Sequence, residues 1–284
     1  MLEDSHSGSH SGGSPMDQSE DRYRTVAAFG KSVDFGKTAS DYGRYRAGYP
    51  DELYRRLEAF GVGLPGQRIL DLGAGTGFLG RGFARKRCEV TATDISQPLM
   101  REARRLDAEA GVAMAYVRAK AEFLPFRARS FDVVCAGQCW HWFDRGVAAA
   151  EAYRVMRPGG RMLIAHFDWI PLPGNVVEAT EQLITAHNPK WALGGAPGIY
   201  PRWPRDVAIA GFTGIETFSF DVMAPYSHEA WRGRIRASAG IGGTLTPAQV
   251  EAFDREFAAL LKERFPADPM TVHHRAFALV CRAQ

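Results

Sequence analysis

From Ile69 to Gly77 the chain reads Ile-Leu-Asp-Leu-Gly-Ala-Gly-Thr-Gly: a short apolar run holding one acid, then three glycines at alternate positions. Such a run predicts a strand, and the helical stretch at residues 78–87 follows the glycines directly. Gly73 and Gly75 are where the backbone must turn tightly, and where a ligand can approach main chain without meeting a Cβ. A strand, a glycine turn and a helix in that order open a wound α/β domain. The chain that follows must then alternate strands with helices.

It does. Glu89–Asp94 (EVTATD) is β-rich and ends in an acid, residues 115–119 predict a weaker strand, Phe131–Gly137 (FDVVCAG) a strong one, and residues 161–167 (RMLIAHF) a fifth. A helix at 97–110 starts after Ser96, a good N-cap, with Pro98 in its first turn. Another at 144–156 starts at Asp144 and stops at Arg157-Pro158-Gly159-Gly160. Strands separated by helices of this length predict a parallel, doubly wound sheet with right-handed crossovers.

Composition narrows the class further. The chain has 284 residues, 45% hydrophobic and 24% charged, enough to bury a full core, which excludes a disulfide-stapled miniprotein. A net charge of +3 is too mild to predict nucleic-acid binding. No run approaches the roughly 18 apolar residues of a membrane-spanning helix. Cys88, Cys135, Cys139 and Cys281 sit among apolar neighbours with no metal-ligand spacing and read as reduced, buried thiols, so the expected location is cytoplasmic and no metal is expected. Residues 1–22 are Ser/Gly-rich with interspersed acids and no apolar period. They predict a disordered tail, with Met16 as an alternative initiator, and His6 and His10 there carry no metal site.

The turn also says which ligand suits it. A dinucleotide site prefers a small residue at the sixth position from Gly73, and this chain has Phe78 there. Asp71, just before the turn, repels a pyrophosphate but suits an ammonium group. Asp94 follows Gly77 by 17 residues, at the end of the next strand, where a carboxylate accepts from both ribose hydroxyls. The pattern describes a nucleoside carrying a cationic amino-acid tail.

Five ordered segments resemble the class I S-adenosylmethionine-dependent methyltransferases, in the small-molecule branch that includes ubiquinone-biosynthesis-like enzymes. They are DLGAGTG, TATDIS, AEFLPF with SFDVV, the Gln138/His141/Trp142 turn and VMRPGGR, and the resemblance covers about residues 35–167. The resemblance implies a Rossmann-like fold with a seven-stranded, mostly parallel sheet and S-adenosyl-L-methionine as cofactor. Gly73, Ala74, Gly75 and Gly77 would line the methionyl end, with Asp71 near its ammonium group. Asp94 would take the ribose, Ile95 and Met100 the adenine faces, Ala121 and Glu122 the adenine edge, and Gln138 the methionine moiety. The residues before the helix at 51–60 would fold over the site as a lid, Arg46 pairing with the methionine carboxylate. Relatives often carry an acid just before the Ala-Glu pair; here Lys120 stands there.

Beyond the fifth strand, residues 175–187 predict a helix and 188–205 (NPKWALGGAPGIYPRWPR) a long loop with its own aromatics. Residues 212–222 and 274–281 alternate as strands, and in such enzymes they complete the sheet as an antiparallel pair. Helices at 227–239 and 246–265 form a cap insertion. The second carries Thr246, Pro247 and Gln249 as a capping box and an apolar stripe through Phe253 and Phe257. The expected organisation is a tail (1–22), leader and lid (23–60), cofactor core (61–168), and cap with final strands (169–284).

Methyl transfer to a small organic acceptor asks chiefly for alignment and exclusion of water, and for a base only where the acceptor must lose a proton. His141 is the candidate base, or else a structural residue bonded to backbone. Trp142, His166, Asp168, Trp191 and Tyr200 are the candidate acceptor pocket, suited to an aromatic or apolar molecule. Three other readings stay open: a dinucleotide oxidoreductase, a nucleic-acid or protein methyltransferase, and a non-catalytic cofactor-binding regulator. Against nucleic acid stands the lack of a basic face. The arginines at 81–87 and 101–105 are spaced along helices and read as solvated. Nothing in the sequence indicates a homo-oligomer.

Overall fold

A computed structural model describes residues 33, 34, 36, 39–45 and 48–284. The predicted tail, much of the leader and Arg46 lie outside the described residues.

Seven strands form one sheet: β1 (Arg68–Leu72), β2 (Glu89–Asp94), β3 (Ala115–Arg118), β4 (Phe131–Gly137), β5 (Met156–Trp169), β6 (Thr213–Tyr226) and β7 (Met270–Arg282). Their order is β3-β2-β1-β4-β5-β7-β6. The first five are parallel, and β7 runs antiparallel between β5 and β6. The doubly wound expectation and the antiparallel final pair are both borne out.

Alternation along β1 explains why both faces of the sheet are covered. Ile69 packs with Leu53, Leu57 and Phe83, from helices α2 (Asp51–Ala59) and α3 (Phe78–Arg85). Leu70 and Leu72 turn to the other face, against Ala148 and Ala152 of α5 (Arg145–Val155) and Trp203. Between them in sequence comes α4 (Gln97–Glu109), whose N-cap Ser96 accepts from the Leu99 N–H as its sequence predicts. A further helix, α1 (Ala39–Tyr45), is tied to the cap. Tyr45 Oη donates to Glu229 at 3.0 Å, and Asp41 accepts from Arg236 at 3.0 Å.

The cap gathers α6 (Val176–His187), α8 (His228–Arg236) and α9 (Pro247–Arg264) around a second apolar cluster that includes Ile184, Trp231, Phe253 and Val272. The predicted capping box of α9 is present in both directions.

Two sequence expectations need correction. Residues 188–205 are not loop throughout: Trp203 opens α7 (Trp203–Ile209), because Pro204 suits a first turn and the fully buried Trp203 ring anchors it against Phe277. The helix before β5 ends at Val155, not 156, since Met156 pairs with Phe131 and the Pro-Gly-Gly segment becomes an irregular start to the strand. The four cysteines are buried and free. Among the described residues, no helix is long and apolar enough to cross a membrane.

Candidate functional site

Strand order reverses between β1 and β4, so their carboxyl ends diverge into a crevice. A cavity of about 2090 Å³ fills it. That is about twice the upper size of a cleft holding one drug-sized ligand.

At one end stands the glycine turn. Gly73 and Gly75 adopt φ of +58° and +57°, the left-handed region that favours glycine. A Cβ at Gly73 would come within 2.9 Å of the Phe143 ring and 3.1 Å of Cys139 Sγ. The close approach therefore comes from the β4–α5 connection as well as from any ligand. Asp94 closes the other side of the turn. Its carboxylate accepts the Gly75 N–H at 2.8 Å and the Ser96 N–H at 2.7 Å. Burial raises its pKa, and those two backbone bonds oppose the rise.

Asp71 lies beneath, 1% exposed and still on the cavity lining. One oxygen accepts the Gly80 N–H at 3.0 Å, capping the first turn of α3 from outside the helix. Burial pushes its carboxyl up to about 7, against the Gly80 bond and a contact with the Cys135 thiol.

The turn is held from behind by Arg81. Its guanidinium donates to Asp107 at 2.8 Å and to the Thr76 and Ala103 carbonyls at 2.6 and 3.1 Å. Tyr116 adds a second donor to Asp107 at 2.6 Å. Arg81 is 6% exposed, so the expectation of a solvated face is wrong at this one arginine, while Arg85, Arg87, Arg101, Arg104 and Arg105 are exposed as expected.

The structure brings most of the predicted cofactor residues to the cavity. Gly73, Ala74, Gly75, Ile95, Ala121, Glu122 and Gln138 line it, as does Lys120. Ile95 is 61% exposed there. The Glu122 carboxylate is engaged, accepting the Asp144 N–H at 2.9 Å. The Gln138 carboxamide nitrogen donates to the Phe167 carbonyl and its backbone N–H to Ala165, so this side chain ties β4 to β5. Gly77 and Met100 are not on the lining. Gly77 is the N-cap of α3, its open side facing Met114, Arg81 and Tyr116. Met100 is turned into the core by the α4 N-terminus, and its neighbour Leu99 lines the cavity instead. Arg46 lies outside the described residues. Of the leader, Tyr49 reaches in: it lines the cavity and donates to the Ala165 carbonyl at 3.1 Å.

The other end of the cavity lies past the end of β5. His141 packs against Trp142 with tilted rings, centroids 4.3 Å apart, and meets His166 edge-on at 5.3 Å. Tyr200 Oη donates to Asp168 at 2.7 Å and lies 2.9 Å from His166 Nδ1. Burial alone would raise the Asp168 carboxyl. The positive and hydrogen-bonding influence of His166, then Tyr200 and His141, more than offsets this and holds it below the usual range. Trp191 lines the wall, packed under Gly240. All five predicted acceptor residues meet here. Among the lining residues that the sequence reading did not name are Arg234, buried with its guanidinium 4.6 Å above the Trp169 ring, and Ser238, whose buried Oγ has no partner. Both sit within a predicted helix with nothing in their spacing to mark them. Among the described residues, no group of three His, Cys, Asp or Glu is placed to hold a metal ion.

S-adenosylmethionine, the cofactor the sequence resemblance implies, fits this donor set. Asp94 keeps lone pairs free to accept from vicinal hydroxyls, the glycine turn opens main chain to a ligand, and Asp71 supplies an acid for an ammonium group.

Comparison with known proteins agrees. Residues 70–164 match the family described as a methyltransferase domain. The chain is 37% identical over 131 residues to a malonyl-[acyl-carrier protein] O-methyltransferase of Enterobacter lignolyticus, covering 44% of this chain and 49% of the relative. It is 34% identical over 129 residues to a ubiquinone/menaquinone biosynthesis C-methyltransferase of Bordetella parapertussis, covering 43% and 50%. The chain thus spans about half the length of these curated relatives. A candidate type II methyltransferase of Anaeromyxobacter dehalogenans superposes with a TM-score of 0.59 at 20% identity, over 84% of this chain and 98% of that one. Residues 70–164 are thus similar to a methyltransferase domain, set in a seven-stranded, Rossmann-like fold shared with a solved methyltransferase structure.

Proposed function

We propose that the protein is an S-adenosylmethionine-dependent methyltransferase acting on a small organic acceptor. One observation carries the reading: the buried Asp94 carboxylate, locked to the Gly75 N–H, faces the cavity at the strand-order switch, where a nucleoside ribose would sit. When bound, the cofactor supplies a methyl group on a sulfonium, an electrophile that departs as a neutral thioether.

The protein's own share is alignment. Asp94 accepts from the ribose hydroxyls. Ile95 covers one adenine face, and the backbone of Ala121 and Glu122 meets the adenine edge. Asp71 faces the amino-acid tail, where a cation at its carboxyl would favour the ionised form. Trp142, Trp191 and Tyr200 wall the acceptor chamber and keep water from it. His141 presents an imidazole to that chamber, suited to take a proton from an acceptor that must lose one. The size of the cavity supports a cofactor and an acceptor held together. The names of the two curated relatives, a malonyl-[acyl-carrier protein] O-methyltransferase and a ubiquinone/menaquinone biosynthesis C-methyltransferase, support an organic acceptor without fixing its identity.

Calorimetric titration with S-adenosylmethionine and S-adenosylhomocysteine tests this. Binding is expected for both ligands, weakened at least tenfold by Asp94→Ala and unaffected by NADH. No binding of either, or displacement by NADH, would overturn the reading.

A further inference from the structure

The cofactor reading uses the β1–β3 end of the cavity and leaves the end past β5 to the acceptor, where proton bookkeeping restricts what can bind. His166 and Asp168 lie two residues apart on β5 and so share a face. Tyr200 bridges them from the loop before α7, fixed by parallel stacking on Trp203 at 3.7 Å and 5°. The cluster holds few protons to give. The Tyr200 proton goes to Asp168 Oδ2 at 2.7 Å. With the imidazole proton on Nδ1, that proton faces Tyr200 Oη at 2.9 Å and Asp168 Oδ1 at 3.4 Å. Both protons are spent inside the cluster.

What remains to a ligand is the acceptor capacity of Asp168. His166 is 1% exposed and its Nε2 is buried without a partner. Asp168 retains lone pairs beyond those that Tyr200 and His166 occupy. A carboxylate on a wall that also carries Trp142 suits a cationic nitrogen, which gains from N–H···O bonds and from an aromatic ring together. We propose that Asp168, positioned by Tyr200 and His166, is the docking group for an acceptor bearing an amine, and that this end of the cavity selects amines over alcohols and carboxylates. The inference rests on the methyltransferase reading for its word acceptor, but the binding chemistry stands on the cluster itself. Arg234 on the same lining is the competing group, since it would favour a carboxylate.

Three probes of one shape separate these possibilities: benzylamine, benzyl alcohol and benzoate. Each is titrated against the full chain, with and without saturating S-adenosylhomocysteine, by tryptophan fluorescence and calorimetry. Benzylamine is expected to bind about tenfold or more tighter than the other two, the size of one hydrogen bond to a charged group. Asp168→Asn should erase that preference while leaving S-adenosylhomocysteine affinity unchanged. Tyr200→Phe should narrow the benzylamine to benzyl alcohol ratio several-fold without moving benzoate, a selectivity effect that loose packing alone does not produce. It carries the test alone if Asp168→Asn does not fold. Preference for benzoate, equal binding of benzyl alcohol, or a benzylamine preference that survives the substitutions would overturn the proposal. Loss of S-adenosylhomocysteine binding in the parent protein would instead overturn the methyltransferase reading, and benzylamine binding would still decide the amine site.

Discussion

The glycine-turn end of the cavity and the β5 end solve recognition differently. At the turn, the groups that line the cavity are main chain from consecutive residues, Gly73 to Gly75, and two carboxylates, Asp71 and Asp94, the second of which grips that main chain. At the β5 end the groups are side chains from separate segments: His141 after β4, His166 and Asp168 on β5, Tyr200 before α7, Arg234 on α8. A site made of contiguous backbone must keep a local pattern of residue types. A site made of side chains borrowed from four segments is free to change each one. The supports differ too. Arg81 and Asp107 hold the turn from behind with side chains 7% and 6% exposed, while in the final strands the corresponding pair, Arg275 with Asp221, is 27% and 42% exposed.

That contrast predicts the largest difference. Arg81→Met strands the Asp107 carboxylate in the interior and releases the Thr76 carbonyl, so urea denaturation should show a loss of about 3–5 kcal/mol. Arg275→Met breaks a pair that water already screens, and the same measurement should show less than about 1 kcal/mol. Equal losses would mean that the second half depends on its ion pairs as much as the first, and the comparison would fail.

Two buried carboxylates sharpen it further, with opposite signs. Asp71 keeps its proton to about pH 7 in the folded chain because burial disfavours its charge. Unfolded, it loses that proton near pH 4. Across that window the folded state binds more protons, so stability falls as pH rises, by up to about 1.4 kcal/mol per pH unit. Asp71→Asn should flatten this slope in ligand-free protein, since the amide oxygen still accepts from Gly80. Asp168 is held below its ordinary value by His166, Tyr200 and His141, so its contribution is present above about pH 4 and disappears as the pH falls through its folded value. Asp168→Asn should therefore cost stability at neutral pH and little in acid. Stability profiles of the two variants that moved in the same direction would contradict the assignment of burial to one and hydrogen-bonded charge to the other.

The same division explains what could be read from the sequence. The succession of strands along the chain, the turn and Asp94 were legible because each depends on a short run: apolar residues ending in an acid, glycines at fixed offsets, a carboxylate at a strand end. Arg81 was not, because on its helix it is spaced like the exposed arginines beside it, and its partner stands 26 residues away. Met100 differs for a related reason: the resemblance implies it near the adenine, but α4 turns it to the core and puts Leu99 on the cavity. At the β5 end the residue types were predicted individually, yet the hydrogen bonds joining Tyr200 to residues 32 and 34 positions earlier come only from the fold. Helix α7 was hidden by its surroundings, since glycine and proline read as loop until a buried tryptophan finds a core to anchor in.

One feature of the second half is as local as the glycine turn, and it gives the smallest effect. Thr246 and Gln249 bond reciprocally at the start of α9, Thr246 Oγ1 accepting the Gln249 N–H at 3.4 Å and Gln249 Oε1 accepting the Thr246 N–H at 3.0 Å. Four residues of sequence suffice to specify it, and it serves stability alone, because no residue of α9 lines the cavity. Thr246→Ala should cost about 1 kcal/mol in thermal or urea unfolding and leave S-adenosylhomocysteine affinity where it was. A change in that affinity would show that α9 reaches the site through the cap packing of Phe253 and Phe257 against α6 and α8. The local and the functional would then be coupled in this half as they are in the first, where the residue that shapes the turn, Asp94, also lines the cavity.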